Sequence, residues 1–272
     1  MEEWAPPGVD PTKPSIARVY DYFLGGKNNY EVDRKIAEEA LRIAPDAREA
    51  GRANRTFLRR AVQHMAAEAG IRQFLDLGSG LPTQGNVHEI AQAVSPDARV
   101  VYVDHDPTVQ AHGRALLAGN DRATFVPGDV RRPAEILDDP EVRARLDFGR
   151  PLGLLLVSVL HHVNDDEDPS GVMATFRSVL APGSHLAIVH FHNPGDEHPE
   201  ASRIAVEAER SFNQSLGTGR WRTRAEIISY FGDLELIEPG LVPLADWRSE
   251  PGDLIRQDLT RYNVLAGVGR KR

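Results

Sequence analysis

The stretch that decides the fold is Phe74-Leu75-Asp76-Leu77-Gly78-Ser79-Gly80, a short apolar run that ends in a glycine-rich turn. Four more apolar runs follow, and each is closed by a turn signal and separated from the next by a helical pattern. These runs are residues 100–103, 124–126, 154–159 and 185–189. Continuous apolar runs that alternate with helices are typical of a parallel sheet covered by helices on both faces. The sequence therefore predicts an α/β fold with a doubly wound sheet.

Two later runs, residues 234–237 and 262–266, would bring the sheet to seven strands. Residues 200–215, which precede them, form a polar helical pattern that is the candidate for an inserted lid. Upstream of the first run, one helical pattern begins after Ser15, which has the residue type of an N-cap. Two more cover residues 31–44 and 47–69. We expect these three helices to form an N-terminal cap.

These patterns divide the chain into two parts. Residues 1–70 would form a proline-rich arm and the helical cap. Residues 71–272 would form the main domain, with a helical insertion near residues 193–225.

The composition excludes several chemistries. The 272 residues include 32 Lys and Arg against 40 Asp and Glu, and the resulting net charge of −8 disfavours nucleic acid and anionic membranes as partners. The absence of cysteine removes disulfides, thiolate metal sites and cysteine nucleophiles. No stretch approaches the roughly 20 apolar residues of a membrane span, and the chain starts without a signal-peptide pattern. We therefore expect a cytoplasmic protein without a membrane partner.

The glycine-rich turn after the first run is where a cofactor is expected in an open α/β sheet. A dinucleotide site would have Gly-x-Gly-x-x-Gly, but the third glycine position is Thr83 here. Asp76 lies two residues before the first glycine, where it would repel a pyrophosphate and attract an ammonium group. S-adenosylmethionine carries an ammonium, a sulfonium and one carboxylate, so this charge pattern fits it better than NAD. The alternative is that Asp76 caps a turn or pairs with an arginine.

Two more acidic residues end the second and third runs. Asp104 lies 24 residues after Gly80 (104 − 80), close to the spacing at which an acidic residue binds the hydroxyls of a ribose. Asp106 is the alternative, although the following proline favours a helix start there. Asp129 could accept a hydrogen bond from an adenine amino group, and the backbone N–H of Val130 could donate one to a ring nitrogen. An Asx-turn at Asp129 is the alternative.

The series of residues 76–80, 103–104 and 128–129 resembles the motifs of class I S-adenosylmethionine-dependent methyltransferases. The resemblance continues into residues 156–163 and 178–184 and covers about residues 74–269. It implies a Rossmann-like sheet of seven strands, the seventh antiparallel, with S-adenosylmethionine bound at these loops. The cofactor-binding residues expected from it are Asp76, Gly78, Ser79, Gly80, Asp104, His105, Asp129, Val130 and Ser158.

Residues 14–30, PSIARVYDYFLGGKNNY, resemble the opening of one actinobacterial branch of these enzymes, which was long grouped as a family of unknown function. The resemblance implies a bacterial methyltransferase but no particular methyl acceptor. Two further interpretations of the chain stay open at this point. They are a regulatory protein that binds S-adenosylmethionine without catalysis, and an NAD-dependent oxidoreductase.

Several acceptor classes are disfavoured by the sequence. Methylation of cytosine C5 needs a cysteine, and the chain has none. Enzymes that methylate exocyclic base amines carry an Asn/Asp-Pro-Pro-aromatic motif where residues 158–161 read SVLH here. A small molecule is therefore the expected acceptor. An RNA acceptor stays possible if the basic stretches Arg131-Arg132 and Arg220–Arg224 converge.

Candidate catalytic residues follow the fourth run and lie in the cap. His161 and His162 could meet the acceptor, and one of them, preferably His162, could act as a general base because a histidine pKa lies near neutrality. A hydrogen-bonded structural role is the alternative. In the cap, we expect Asp21 and Tyr22 to line the cleft, with Tyr22 as a further catalytic candidate, and Tyr20 to pack in the interior.

Two other groups of residues have competing interpretations. His190 and His192 would share one face of a strand and, with Asp196, Glu197 and His198, could hold a metal. A polar strand end in a cleft is the favoured interpretation, so no metal is expected. Arg52 and Arg55 could bind the methionine carboxylate of the cofactor, whereas the alternative is a solvated, arginine-rich helix face.

Overall fold

A computed structural model of the chain describes residue 5 and residues 8–82, 85–250 and 259–272. Thr83, Pro6 and Pro7, which entered the sequence argument, lie outside these ranges.

Eight strands form one mixed sheet in the described residues. They are β1 (Gln73–Leu77), β2 (Arg99–Asp104), β3 (Ala123–Pro127), β4 (Gly153–Val157), β5 (His185–Phe191), β6 (Glu235–Leu236), β7 (Val242–Pro243) and β8 (Val264–Arg270). The order is β3-β2-β1-β4-β5-β8-β6, and the two-residue β7 also pairs with β8. β1 to β5 pair in parallel, whereas β8 is antiparallel to β5. The predicted seven-stranded sheet with an antiparallel last strand is confirmed, with β7 as a short addition.

Two predicted strand boundaries are wrong for local reasons. The fourth strand ends at Val157 instead of residue 159, because Ser158 has a positive φ of 65° that turns the chain out of the sheet. The last strand begins at Val264 instead of residue 262, because Tyr262 and Asn263 belong to a 3₁₀ turn. The backbone oxygen of Tyr262 accepts a hydrogen bond from the His192 ring in that turn.

Ten α-helices surround the sheet in the described residues. They are α1 (Ile16–Phe23), α2 (Glu31–Ile43), α3 (Ala47–Gln63), α4 (Val87–Val94), α5 (Pro107–Leu116), α6 (Pro133–Asp138), α7 (Pro140–Arg145), α8 (Pro169–Ser178), α9 (Pro199–Leu216) and α10 (Arg224–Ser229). A π-helical turn, His64–Glu68, continues α3. The predicted cap helices and the helix expected at residues 200–215 are confirmed to within a few residues. None of the described helices combines the length and the apolarity that a membrane crossing requires.

The sheet separates two hydrophobic cores, as a doubly wound sheet requires. Phe74 of β1 packs in the core formed with α3, α4 and α5. Leu75 and Leu77 pack in the other core, with α6, α7 and α8. Because side chains alternate along a strand, Asp76 points to the same side as Phe74, toward α3.

The N-terminal cap is attached to the sheet by a buried polar cluster. Arg18 of α1 donates to Asp33 of α2 over 2.7 Å and to Thr108 at the start of α5 over 3.2 Å. Ser15 is the N-cap of α1, as predicted, and its hydroxyl also donates to Asp106. Ser15, Arg18 and Asp33 are buried, so the ion pair is shielded from water. The cap is thereby fixed to the loop that follows β2.

The Asp33→Asn substitution tests this attachment. It leaves the buried Arg18 guanidinium without its counter-charge, and we expect the free energy of unfolding to fall by about 3–5 kcal/mol. The matched control is Glu31→Gln on the same helix, because the Glu31–Lys35 pair is exposed and is expected to contribute less than about 1 kcal/mol. Urea unfolding of the two variants and the wild type measures the difference. Equal losses in both variants would contradict a structural role for the buried pair.

Candidate active site

A cavity of about 530 Å³ lies at the carboxyl ends of the parallel strands. The loops after β1, β2, β3 and β4 line one side of it, and α1, α3 and α9 line the other. All nine residues predicted to bind the cofactor line this cavity, and so do His161 and His162. Ligands of open α/β sheets bind in this position, so the cavity is the candidate active site.

The turn after β1 has little room and a fixed backbone. Gly78 has a positive φ of 63°, and its backbone N–H donates to the Val103 carbonyl of β2 over 2.8 Å. A Cβ atom at Gly78 would lie 2.2 Å from a methyl carbon of Val159. Gly80 also has a positive φ, of 67°, but a Cβ atom there would meet no atom within 4 Å. Gly78 is therefore required by both conformation and packing, and Gly80 by conformation.

Asp76 is a buried carboxyl group on the cavity wall. Its pKa is raised to about 7, mainly by burial; the charge of Arg55 partly offsets this increase, and the charge of Asp104 adds to it. None of the described residues donates a hydrogen bond to Asp76, so the predicted alternative of a turn cap is not realised within them. A cationic group in the cavity would favour the ionised carboxylate.

Asp104 and Asp106 have different roles in the loop after β2. Asp104 is buried, and its two carboxylate oxygens accept from the backbone N–H of Gly80 over 2.9 Å and of Asp106 over 3.0 Å. Burial raises the pKa of Asp104. Asp106 is the N-cap of α5, because its side chain accepts from the backbone N–H of Thr108 over 2.7 Å. The prediction that Asp106 starts a helix is confirmed, and Asp104 stays the candidate for binding a ribose.

Asp129 lies in the loop after β3, where both of its oxygens are bound by Arg131. One oxygen accepts from the Arg131 backbone N–H over 3.0 Å, which is the predicted Asx-turn alternative. The guanidinium adds contacts of 2.6–3.0 Å to both oxygens. Although burial alone would raise it, the pKa of Asp129 is lowered by these hydrogen bonds. No described residue accepts a hydrogen bond from the backbone N–H of Val130, so that donor stays available to a ligand.

The cap contributes Tyr20 to the cavity instead of Tyr22. The Ser158 hydroxyl donates to Asn54 over 3.0 Å, and the Asn54 amide donates to the Tyr20 hydroxyl over 3.0 Å. Asp21 instead accepts hydrogen bonds in the turn after α1, and Tyr22 donates to Glu38 at an exposed position. The prediction that Asp21 and Tyr22 line the cleft is therefore wrong. The helical spacing assigned Tyr20 to the apolar face of α1 with Val19 and Phe23, and this is the face that lines the cavity.

His161 and His162 form a 3₁₀ turn after β4. Burial lowers the pKa of His161 well below its usual value and lowers the pKa of His162 to about 3. The expectation of a histidine pKa near neutrality is therefore wrong, because both side chains are packed among other rings. His161 stacks on Phe191 with ring centroids 3.5 Å apart, and its Nδ1 accepts from the Phe191 backbone N–H over 3.3 Å.

His190 and His192 make structural hydrogen bonds. The Nδ1–H of His190 donates to the Phe191 carbonyl over 2.6 Å, and its Nε2 accepts from Arg222 over 3.1 Å. The Nδ1–H of His192 donates to the Tyr262 carbonyl over 2.7 Å. Within the described ranges, no group of three or more His, Asp or Glu side chains has a geometry that could hold a metal ion.

The two arginines of α3 have different surroundings, and only the solvated alternative is observed, at Arg52. Arg52 pairs with Glu49 on the exposed face of the helix, over 2.6 Å. Arg55 lines the cavity and donates to the Gly85 carbonyl over 3.0 Å.

The two basic stretches considered for RNA both meet one acidic turn, Asp165–Glu167. Arg131 pairs with Glu167 over 2.8 Å, and Arg222 pairs with Asp165 over 2.7 Å. Arg220 also pairs with Glu209, over 3.5 Å. These carboxylates offset the positive charge that an RNA surface would need.

Three aromatic residues of the cavity wall were not singled out from the sequence: Phe191, Phe212 and Trp221. They come from the end of β5, from α9 and from the segment after α9. Of the three, only Phe212 could have been inferred from the sequence, because it lies within the helical pattern at residues 200–215 that was predicted to form an inserted lid.

Comparison with known proteins agrees with this site. A family model described as S-adenosyl methyltransferase matches residues 2–272. A candidate methyltransferase from Thermobifida fusca YX is 47% identical, with a TM-score of 0.91 and 99% of each chain covered. A DUF574 family protein from Streptomyces avermitilis MA-4680 is 39% identical, with a TM-score of 0.88 over 97% of this chain and 99% of that one. No curated protein matches the chain.

A more distant structure shares the fold alone. It is an O-methyltransferase family protein from Burkholderia thailandensis, 17% identical, with a TM-score of 0.51 over 85% of this chain and 62% of that one.

The crowding at Gly78 is testable by substitution. Gly78→Ala forces an alanine into an unfavourable backbone conformation, which lowers the stability by about 1–2 kcal/mol. Its Cβ atom also overlaps with Val159, which lowers the stability by about 1–3 kcal/mol more. The matched control is Gly80→Ala, which adds the conformational cost without the overlap. We expect urea unfolding to show Gly78→Ala as the less stable variant by at least about 1 kcal/mol. A Val159→Gly background removes both the methyl carbon and the Val159 Cβ, which would lie 2.6 Å from the new Cβ, so it should narrow this gap. An unchanged gap would contradict the packing explanation.

The buried His190 ring should make stability depend on pH. Burial lowers the pKa of His190 from 6.5 to about 3, so within this window the unfolded chain binds a proton that the folded chain does not. Stability is therefore lost as the pH falls, by about 1.4 kcal/mol per unit, or about 2–3 kcal/mol between pH 6.5 and 4.5. Urea unfolding at both pH values should show a smaller loss in His190→Gln, whose side chain does not titrate. The same loss in variant and wild type would refute the assignment.

Proposed function

The chain belongs to the S-adenosyl methyltransferase family, and from this premise we propose that it transfers a methyl group from S-adenosylmethionine to a small molecule bound in the same cavity. The observation that carries the proposal is the buried Asp76 carboxyl on the cavity wall, with no hydrogen-bond donor among the described residues. The charge of Arg55 offsets the burial of this carboxyl only in part, so a cationic hydrogen-bond donor bound in the cavity would stabilise the carboxylate further. The ammonium group of S-adenosylmethionine is such a donor.

The other residues of the cavity fit the remaining parts of the cofactor. Asp104 would accept hydrogen bonds from the ribose hydroxyls. The free backbone N–H of Val130 would donate to the adenine ring, and Asp129 would accept from its amino group. Gly78 and Gly80 would let the backbone approach the cofactor without a side chain in the way. Ser79, His105 and Ser158 complete the wall around it.

When bound, the cofactor supplies a methyl group that is already activated by the sulfonium. The chain therefore has to hold the acceptor in line with that group and exclude water. α1, α3 and α9 line the side of the cavity opposite the strand ends, so they would keep water from the methyl group. Tyr20 is held at this wall through Asn54, which also binds Ser158.

His162 is suited to orient the acceptor, and poorly suited to take up its proton. With a pKa of about 3 the ring is neutral and weakly basic at pH 7, so it would contribute little as a general base. A neutral imidazole still has one N–H donor and one acceptor nitrogen. We propose that His162 positions the acceptor by hydrogen bonding, and that the methylated product releases its proton to bulk solvent instead of to this ring.

A small acceptor is favoured over a nucleic acid by the charge around the cavity. The net charge is −8, and Arg131 and Arg222 of the two basic stretches are paired with carboxylates. A cavity of about 530 Å³ is also within the size range of small-molecule sites.

Calorimetric titration with S-adenosylmethionine and S-adenosylhomocysteine tests the cofactor part of the proposal. We expect wild type to bind both, and Asp104→Ala to bind at least about 10-fold more weakly, which corresponds to about 1.4 kcal/mol. The matched control is Asp121→Asn, an exposed carboxylate outside the cavity, which should bind as wild type does. No heat from folded, ligand-free wild type would overturn the assignment of the site.

A labelling experiment tests the acceptor part of the proposal. It uses methyl-labelled cofactor and a bacterial extract separated into low-mass and macromolecular fractions. Label is expected in the low-mass fraction with wild type and not with Asp104→Ala at a limiting cofactor concentration. Label in the RNA of the macromolecular fraction would instead support a nucleic-acid acceptor.

A further inference from the structure

The cavity has two parts of different chemistry. Its charged lining residues all lie on the cofactor side: Arg55, Asp76, Asp104, Asp106, Asp129 and Arg131. We call the other part the acceptor arm. Five residues with rings form its walls: His161, His162, Phe191, Phe212 and Trp221. Eight further uncharged residues continue these walls: Ile204, Ala208, Leu216, Thr218, Leu244, Thr260, Asn263 and Val264. None of these described residues is an aspartate, glutamate, lysine or arginine. A charged ligand in the arm would lose its hydration without gaining an ionic partner.

The rings of the acceptor arm form a flat stack with one edge-on neighbour. His161, Phe191 and Trp221 lie nearly parallel, with successive ring centroids 3.5 and 4.2 Å apart and interplanar angles of 12° and 16°. Phe212 is nearly perpendicular to Phe191 at 88° and to Trp221 at 82°. Phe191 is already stacked on both His161 and Trp221, so the ring surfaces that the arm offers to a ligand are the Trp221 ring and the Phe212 ring at 82° to it. Face-to-face and edge-to-face contacts are the two orientations that a further aromatic ring prefers.

Hydrogen bonds hold these rings in place before any ligand binds. The Trp221 backbone N–H donates to Glu209 of α9 over 2.7 Å. The Arg220 backbone N–H donates to the His161 carbonyl over 2.8 Å, and the Thr218 hydroxyl donates to the His162 carbonyl over 2.7 Å. The segment after α9 is thus tied both to α9 and to the turn after β4. Because the rings are already ordered, a ligand would lose little side-chain entropy from the protein on binding.

His162 supplies the polar contact of the acceptor arm. Its ring lies at 19° to Phe212 with centroids 6.4 Å apart, and its 3₁₀ turn directly follows Val159, which packs against Gly78 of the glycine turn. Its Nδ1 is buried without a hydrogen-bond partner, whereas its Nε2 keeps some exposure at the cavity surface. A buried N–H without an acceptor is more costly than a bare lone pair, so the proton of the neutral ring belongs on Nε2. The arm therefore has an N–H donor on its cofactor side.

We propose that the acceptor arm binds a flat, uncharged aromatic or heteroaromatic molecule whose oxygen or nitrogen accepts a hydrogen bond from Nε2 of His162. This inference rests on the proposed function, since it names the class of methyl acceptor for the same cavity. Stacking on the rings would hold the plane of the molecule, and the hydrogen bond would select which of its atoms faces the cofactor.

The probe for this proposal is 1-naphthol, titrated by calorimetry into protein saturated with S-adenosylhomocysteine. Three compounds of similar shape serve as comparisons: 1-naphthoate, which adds a negative charge, decahydro-1-naphthol, which is not flat, and 1-methylnaphthalene, which has no hydroxyl group. We expect 1-naphthol to bind with a measurable affinity and each of the other three to bind at least about 5-fold more weakly. Binding of 1-naphthoate or decahydro-1-naphthol as tight as that of 1-naphthol would overturn the proposal.

Two variants measure separately how much the rings and the hydrogen bond contribute to 1-naphthol binding. Trp221→Leu should weaken 1-naphthol binding about 10-fold, and the matched control is Val206→Ala, an exposed position of α9 outside the cavity that should change nothing. His162→Phe keeps a ring but removes the donor, so it should weaken binding of 1-naphthol and not of 1-methylnaphthalene. Equal weakening of both compounds would overturn the role of Nε2.

The cofactor titration distinguishes failure of this inference from failure of the proposed function. If S-adenosylhomocysteine binds and 1-naphthol does not, the acceptor class is wrong and the proposed function stands. If S-adenosylhomocysteine does not bind, the proposed function fails and the acceptor inference fails with it. Each variant is therefore titrated with S-adenosylhomocysteine first, which also shows that it is folded.

Discussion

The structure of the site depends on one backbone turn, in which Gly78 is pressed against Val159 and bonded to the carbonyl of Val103. This turn joins the ends of β1, β2 and β4 at a point where no side chain would fit. It sets Asp76 on the cavity wall, and it carries the chain to Gly80, whose N–H reaches Asp104. The carboxyl groups of two neighbouring strands are therefore placed relative to each other by a glycine that itself contributes no side chain.

The second half of the site is built by segments far apart in the sequence. The cap reaches the sheet through Ser15 and Asp106, and the chain of hydrogen bonds from Ser158 through Asn54 to Tyr20 joins β4, α3 and α1. The aromatic wall brings the end of β5 together with α9 and the segment after it. Side chains near the methyl donor thus come from both the sheet and its helical cover.

The fold and the cofactor side of the cavity could be predicted from the sequence because each strand and its following loop are local. Residues 74–80 show both an apolar run and its turn, and the seven-stranded order follows from such runs. Tyr22 and the histidine pKa values were predicted wrongly because they depend on packing between distant elements. The helical spacing placed Tyr20 on the apolar face of α1 but did not reveal that this face lines the cavity. Burial among rings, which lowers the pKa of His162, has no local signal.

The loop after β2 contacts both the glycine turn and the N-terminal cap. Asp104 binds the glycine turn, whereas Asp106, two residues later, accepts from Ser15 of the cap. Residues that hold the cap and residues that line the cavity therefore share one short segment. By reciprocity, any free energy that a bound ligand added to docking of the cap would equal the free energy that the docked cap added to affinity for the ligand.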